Sequence, residues 1–477
     1  MGIVPLTGVL ITVLYIKQNS MPVKIVAYLV KNNMWVKAMH KCFYNEKLLL
    51  IALSVLLINY NIFPLKSNSA SAAIETQYSS FNNSAGSSDN TEIKFELPAG
   101  TKAYYINIID SAGNVSSTTP VIYGETGSSI KKNKRITFNP DVWKNPKIFR
   151  NVPDSLVYPG MEAVYYEGLK YKGRKTKVFA YIGFPANLPK NKKVPAVVLV
   201  HGGAGTAFPQ WVKIWNDRGY AAIAMDLESH QPIVPGDYKS SGSNGGPSNN
   251  NYSDIDEKLE DQWMYHAVSD VYLAYSLLAA DKRVDRKKIG ITGISWGGII
   301  TSIAIGNADC FEFAIPVYGC GYMYNSKGAM KNNYNEKVTK QWDYSNWAGY
   351  VHTPTLWLNS DSDFSFSLEA TARTVKSTKD AMAVILPSHP HSHVDGWNPV
   401  EIYTFANSVI NNKPGLIKIT KQPGEKELLF GFSTQKNYGI KSAELIYSIE
   451  PIKYNSDNKL TNTWSRVPLH LKNADKH

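Results

Sequence analysis

Cysteine is scarce: the 477 residues hold three, Cys42, Cys310 and Cys320. That excludes a small disulfide-stapled scaffold, which needs a dense cysteine framework. Cys42 precedes an apolar run and does not sit where a lipid-modified cysteine would, leaving Cys310 and Cys320 either as one pair or as two buried thiols. Charge is sparse too, 19% of residues against 43% hydrophobic, which excludes a disordered chain. The formal net charge of +12 does not imply nucleic acid. Residues 1–72 hold seven lysines against Glu46 alone, and the rest of the excess is scattered among acids with no dense basic run. Uninterrupted apolar runs of the roughly 20 residues that span a bilayer are also missing. Residues 8–16 and 48–58 are apolar but shorter.

The run at 48–58, LLLIALSVLLI, follows Lys41 and Lys47 and precedes Ala70-Ser71-Ala72, the pattern of a signal peptide with an A-x-A cleavage site. The expectation is a secreted protein, with membrane anchoring as the alternative and no stable insertion once the signal is removed. Counted from Met39 the segment has an ordinary signal length, and from Met1 it is too long. Translation is therefore expected to start at Met39 or Met34.

The sequence reads as four parts: a targeting region at 1–72, a linker and small β segment at 73–153, an α/β domain at 154–413, and a C-terminal β segment at 414–477. In the third part, apolar runs such as PAVVLVHGG, YAAIAMDL, KIGITGIS, TPTLWLN and AMAVILP alternate with helical stretches. One of these, around 260–280, reads as a long amphipathic helix. Continuous apolar strands between helices predict a mostly parallel sheet covered on both faces. The two terminal β segments look like parts of one sandwich, and they are expected to pair.

Within this part GISWG, Gly293 to Gly297, is the single G-x-S-x-G. A buried strand precedes it and a helical stretch follows, which is the strand, sharp turn and helix of a nucleophile elbow carrying Ser295. HGGAG, from His201 to Gly205, ends an earlier strand where this architecture supplies oxyanion-hole amides. Gly202, Gly203 and Trp296, the residue after the nucleophile, are the candidate donors. A serine hydroxyl needs a base and the base an orienting acid, in the chain order Ser, acid, His. Asp361 and Asp363 follow the TPTLWLN strand, and LPSHPHSHVDGW then packs His389, His391 and His393 into five positions. Alternating histidines on a strand would suit a metal. Pro390 and the lack of a carboxylate or cysteine partner favour a loop and a proton-transfer role instead, with no metal and no cofactor expected.

HGGAGTAF, EDQWMYHAVSDV, GISWGG, VYGCG, LWLNSDSDF and HSHVDGWNPVEIYTFA, in this order, resemble the acetyl xylan esterase and dienelactone hydrolase-like branch of the α/β hydrolases, over about 155–412. The resemblance implies the α/β-hydrolase fold, flanked here by small β segments at both ends, and Ser295 as nucleophile. An acid loop of the NGTNDF kind aligns its aspartate with Asp363, although Ser360 stands where a glycine is common and Asp361 is second choice. A P-H-x-H-G loop places two histidines on His391 and His393. Because the base in such hydrolases usually follows a small residue, as His393 follows Ser392, His393 is the preferred base.

These readings predict a secreted serine hydrolase that cleaves carboxylic esters through an acyl-enzyme, acting on acylated carbohydrate or another small ester. The first alternative is a peptidase of the prolyl oligopeptidase type, although the stretch from Ala73 to Asp154 has no propeller blade repeats. The second is an inactive, hydrolase-like binding module. Five tyrosines and two tryptophans in 320–350 either stack on sugars or pack on one another as a lid.

Overall fold

Six parallel strands carry the candidate site. The computed structural model describes residues 3–6, 9–18, 21–30, 90–124, 133–433, 438–456 and 460–469. The expected signal run at 48–58 and its cleavage site lie outside these residues. Two compact units divide the chain, Met1–Ile74 and Glu75–His477. In the first, Ile3–Leu6, Val9–Gln18 and Met21–Val30 pair antiparallel. No helix among the described residues is long and apolar enough to cross a membrane.

In the second unit the parallel strands run, in spatial order, Ala381–Leu386, Thr355–Ser360, Ala314–Val317, Val284–Ile294, Val194–Val200 and Ala221–Met225. Antiparallel strands Lys177–Gly183, Met161–Glu167 and Ile148–Phe149 extend one edge. β-Branched and small residues dominate the central strands: in Val194–Val200 all but Pro195 are buried, as expected of a parallel sheet covered on both faces. This is the α/β-hydrolase fold. Strand order places the carboxyl ends of Val194–Val200 and Val284–Ile294 side by side, where ligands bind in open α/β sheets.

At the other edge the two flanking β segments meet. Asn90–Lys94 pairs with Leu429–Ser433, and Ala103–Asp110 lies between Ile440–Ser448 and Val115–Ser117. Val115–Ser117 in turn bridges antiparallel to Ala381–Leu386 through Ser117 and Ala383. The terminal β module is thus an extension of the central sheet. It has its own core around Tyr104, Ile106, Ile108, Phe430 and Leu445.

The helix Trp263–Ala280 differs from the amphipathic helix the sequence predicts, because 14 of its 18 residues are buried. The segment at 133–144 covers the face that would otherwise meet solvent. Phe138 stacks on Tyr265 at 5.0 Å, Trp143 lies over Tyr272, and Ser276 Oγ donates to Val142 O at 2.7 Å.

Candidate active site

Ser295 stands between the strand Val284–Ile294 and the helix Trp296–Asn307 with φ 59° and ψ −117°. A non-glycine residue held at such angles stores roughly 1–3 kcal/mol of backbone strain, which the surrounding packing must impose. Glycines on either side make that packing feasible. A Cβ on Gly293 would collide with the carbonyl of Gly297, and one on Gly297 with the carbonyl of Val200. The turn is therefore clamped between its own strand and the neighbouring one, and the Ser295 amide donates to Val317 O at 2.8 Å.

His391 closes the relay. Its Nε2 lies 3.0 Å from Ser295 Oγ and its Nδ1 2.7 Å from Asp363 Oδ2. Nδ1–H donates to the carboxylate, which leaves Nε2 to accept the serine proton. Asp363, with a fully buried side chain, also accepts the amides of Ser365 and Phe366 on Oδ1, each at 2.8 Å. Its geometry is thus fixed on both oxygens. The imidazole lies face to face with Tyr318 at 4.6 Å and parallel to Phe366 at 6.1 Å, with Phe364 tilted against it at 4.9 Å. These three rings cage the imidazole and hold its plane.

The preferred base of the sequence reading, His393, is elsewhere. It opens the short helix His393–Trp397 under Ser392, whose Oγ accepts the Asp395 amide at 3.0 Å. The ring is buried against Phe208 and Tyr238, and its Nε2 accepts the Gly202 amide at 2.9 Å. Burial first, then the nearby His201 and His391, lowers its pKa to about 3. It is a neutral acceptor that holds a loop. The same bond corrects the donor set: the Gly202 amide is engaged, so it is not free for an oxyanion. Trp296 begins the helix, where amides have no intrahelical acceptor. It and Gly203 have no backbone acceptor among the described residues. Gly203 packs directly on the Trp296 indole, where a Cβ would sit 2.9 Å from Cδ1.

His389 completes the trio by contacting Asp395 O at 3.0 Å. The three histidines therefore diverge to three separate partners instead of converging on one ion, and no metal-holding group of three or more His, Cys, Asp or Glu occurs among the described residues. Asp361 does not reach a histidine; it bonds Tyr105 and Ser388. The aromatic excursion folds inward: Tyr322, Tyr334, Trp342, Tyr344 and Trp347 are buried, and Asp343 ties the segment by accepting the Tyr322, Met323 and Ser345 amides. Those five rings pack on protein and do not offer faces to a sugar. Cys310 and Cys320 are free thiols.

Residues 247–398 match the model of the prolyl oligopeptidase family, a stretch that runs from the loop before the Trp263–Ala280 helix through Ser295, Asp363 and His391. The chain is 22% identical over 237 residues to the uncharacterized peptidase YuxL of Bacillus subtilis (strain 168), covering 44% of this chain and 32% of that one. It is 23% identical over 223 residues to dipeptidyl-peptidase 5 of Schizosaccharomyces pombe, covering 43% and 31%. The chain thus spans about a third of the length of these curated relatives. Among solved structures, an acetyl xylan esterase from Paenibacillus sp. R4 matches with 18% identity and a TM-score of 0.44, over 58% of this chain and 97% of that one. The Asp363–His391–Ser295 relay is an arrangement that can activate a serine hydroxyl as a nucleophile.

Proposed function

We propose that the protein hydrolyses carboxylic esters through an acyl-enzyme on Ser295, with acylated carbohydrate of the acetyl xylan kind as its substrate class. The continuous hydrogen-bond relay from Asp363 through His391 to Ser295 is the observation that supports it. In the first half-reaction His391 Nε2 takes the Oγ proton as the oxygen attacks the carbonyl, and the developing imidazolium is held by Asp363 and the aromatic cage. Negative charge grows on the carbonyl oxygen beside the helix start, where the amides of Trp296 and Gly203 are the available donors. Each such donor contributes typically 10²–10³ in rate. His391 then returns the proton to the leaving alcohol. In the second half water takes the place of the serine, and the same base and donors release the acid.

The ordered motifs that resemble acetyl xylan esterases support the choice of an ester, and the signal-like segment supports export to where acylated polysaccharide is found. A peptidase is the second reading, favoured by the match of residues 247–398 to the prolyl oligopeptidase family.

Labelling by a fluorophosphonate probe tests the mechanism. The native protein is expected to label at neutral pH and Ser295→Ala not to; a native protein that stays unlabelled refutes the reading. Hydrolysis of acetylated xylan or p-nitrophenyl acetate, set against a prolyl-amide peptide, then decides between ester and amide.

A further inference from the structure

Asp361 and Asp363 are equally buried, each 2% exposed, and only one of them meets His391. The other is occupied on both oxygens. Asp361 Oδ1 accepts the Ser388 amide at 2.6 Å, and Oδ2 accepts the phenol O–H of Tyr105 at 3.0 Å. Ser388, held at φ 54°, opens the turn that delivers Pro390 and His391. Tyr105 belongs to the strand Ala103–Asp110 of the terminal β module and is wholly buried, with Trp464 edge-on at 5.8 Å.

Further bonds cross the same seam. Asn107 Nδ2 donates to Ile385 O at 3.0 Å, and the Ile385 amide donates to Ser117 Oγ at 2.7 Å, fixing the end of the strand from which the histidine turn departs. Tyr454, from the C-terminal segment, donates to the backbone carbonyl of Asp363 at 3.2 Å. The module thus touches both the turn that carries His391 and the loop that carries Asp363.

Burial raises the Asp361 carboxyl above its usual range, against the bonds from Ser388 and Tyr105. A buried carboxylate is an expensive way to fill space. It is well suited to joining two donors from segments far apart in sequence.

We infer that Asp361 is a positioning residue through which the terminal β module, by way of Tyr105, sets the histidine turn and so the reach of His391 to Asp363 and Ser295. The inference rests on the hydrolase reading above and adds to it a role for the flanking β segments. Displacing a base by about 1 Å can cost on the order of 10²-fold in rate, while substrate binding, made elsewhere, is spared.

The test is a cycle of variants assayed on p-nitrophenyl acetate with melting curves in parallel. Asp361→Ala is expected to lower kcat by about 10²-fold and Tyr105→Phe by about tenfold, with KM held within about twofold. The double variant should be no worse than Asp361→Ala, because Tyr105 acts through Asp361. Asp361→Asn keeps an oxygen for the Ser388 amide and should recover most of the loss. Either full kcat in a folded Asp361→Ala or strictly additive losses overturns the inference. If Asp361→Ala fails to fold, Tyr105→Phe, which deletes a single oxygen, decides by the same kcat criterion.

A readout independent of turnover is the downfield Nδ1–H proton of His391 in the one-dimensional proton spectrum. Its exchange with water should quicken in both variants, and unchanged exchange overturns the inference. A wild-type protein that fails to label with fluorophosphonate sinks the hydrolase reading alone and leaves the proton experiment to judge Asp361.

Discussion

On the nucleophile side of the site, Ser295 is locked by residues beside it in sequence or on the adjoining strands: Gly293, Gly297, the Val200 carbonyl and Val317 O. On the acid and base side, the turn carrying His391 and the loop carrying Asp363 are held by Tyr105 and Tyr454, and Tyr105 and its acceptor Asp361 are 256 positions apart. The first wall is a matter of close contact among neighbouring strands of the central sheet. The second is a matter of hydrogen bonds from the terminal β module. A wall of the first kind survives as long as the central strands and the elbow helix do, whereas the second depends on a module that could be altered without touching the elbow.

The sharpest way to break this contrast is at the histidines. His391→Ala removes the proton acceptor, and kcat on p-nitrophenyl acetate should fall by about 10⁴-fold or more with the melting temperature little changed. His393→Ala instead strands the Gly202 amide, which costs about 1–3 kcal/mol of stability for a buried donor left unpaired. Its kcat should fall far less, by less than about 10²-fold. Equal losses of turnover in the two variants would contradict the geometry.

The same pair shows what was legible in the sequence. Strand, glycine-rich elbow and helix are contiguous, so Ser295 and the parallel sheet could be read from pattern alone. Asp363 followed from chain order and from the resemblance of its loop. His391 ranks second to His393 in the sequence because Ser392 reads as the small residue before a base, whereas in the structure Ser392 caps a helix. The clue was present: S-H-V-D over 392–395 has the spacing of a capping box. In the structure Ser392 Oγ both accepts the Asp395 amide and donates to its carboxylate at 2.6 Å. A histidine at the first helical position is carried away from the loop tip, toward the HGGAG turn. The engagement of Gly202 by His393 was not legible, since it joins segments 191 residues apart. Nor was the burial of the Trp263–Ala280 helix, which depends on Phe138 and Trp143 from a segment with no periodic pattern.

A smaller effect concerns pH. Because the folded protein holds His393 neutral down to about pH 3, the unfolded chain binds this proton first, from about pH 6.5 downward. Stability from this one group is therefore complete above about pH 6.5 and lost as the pH falls toward 3, by about 1.4 kcal/mol per pH unit. Buried carboxyls such as Asp361, Asp343 and Glu401, raised by desolvation, act with the opposite sign, so the difference between variants is what isolates it. His393→Gln can still accept from Gly202 and cannot titrate. Denaturant midpoints of wild type and His393→Gln should diverge between pH 6 and 4, with wild type losing more; parallel curves would remove the neutral-acceptor role.

The smallest expected change lies where the two walls meet. Tyr318 follows the strand Ala314–Val317 on the nucleophile side, anchored by its amide to Leu358 O at 2.9 Å, yet its hydroxyl donates to Pro390 O at 2.7 Å, one residue before His391. Tyr318→Phe keeps the ring stacked on the imidazole and deletes that one bond, worth about 0.5–1.5 kcal/mol. If all of it were felt in the transition state, kcat would fall by about two- to tenfold. Combined with Tyr105→Phe, the losses should multiply, because Tyr318 steadies the turn at Pro390 from one wall and Tyr105 steadies it at Ser388 from the other. A double variant no slower than the worse single one would mean that the two supports are one, and that the division between a steric wall and a hydrogen-bonded wall does not hold at the turn that matters most.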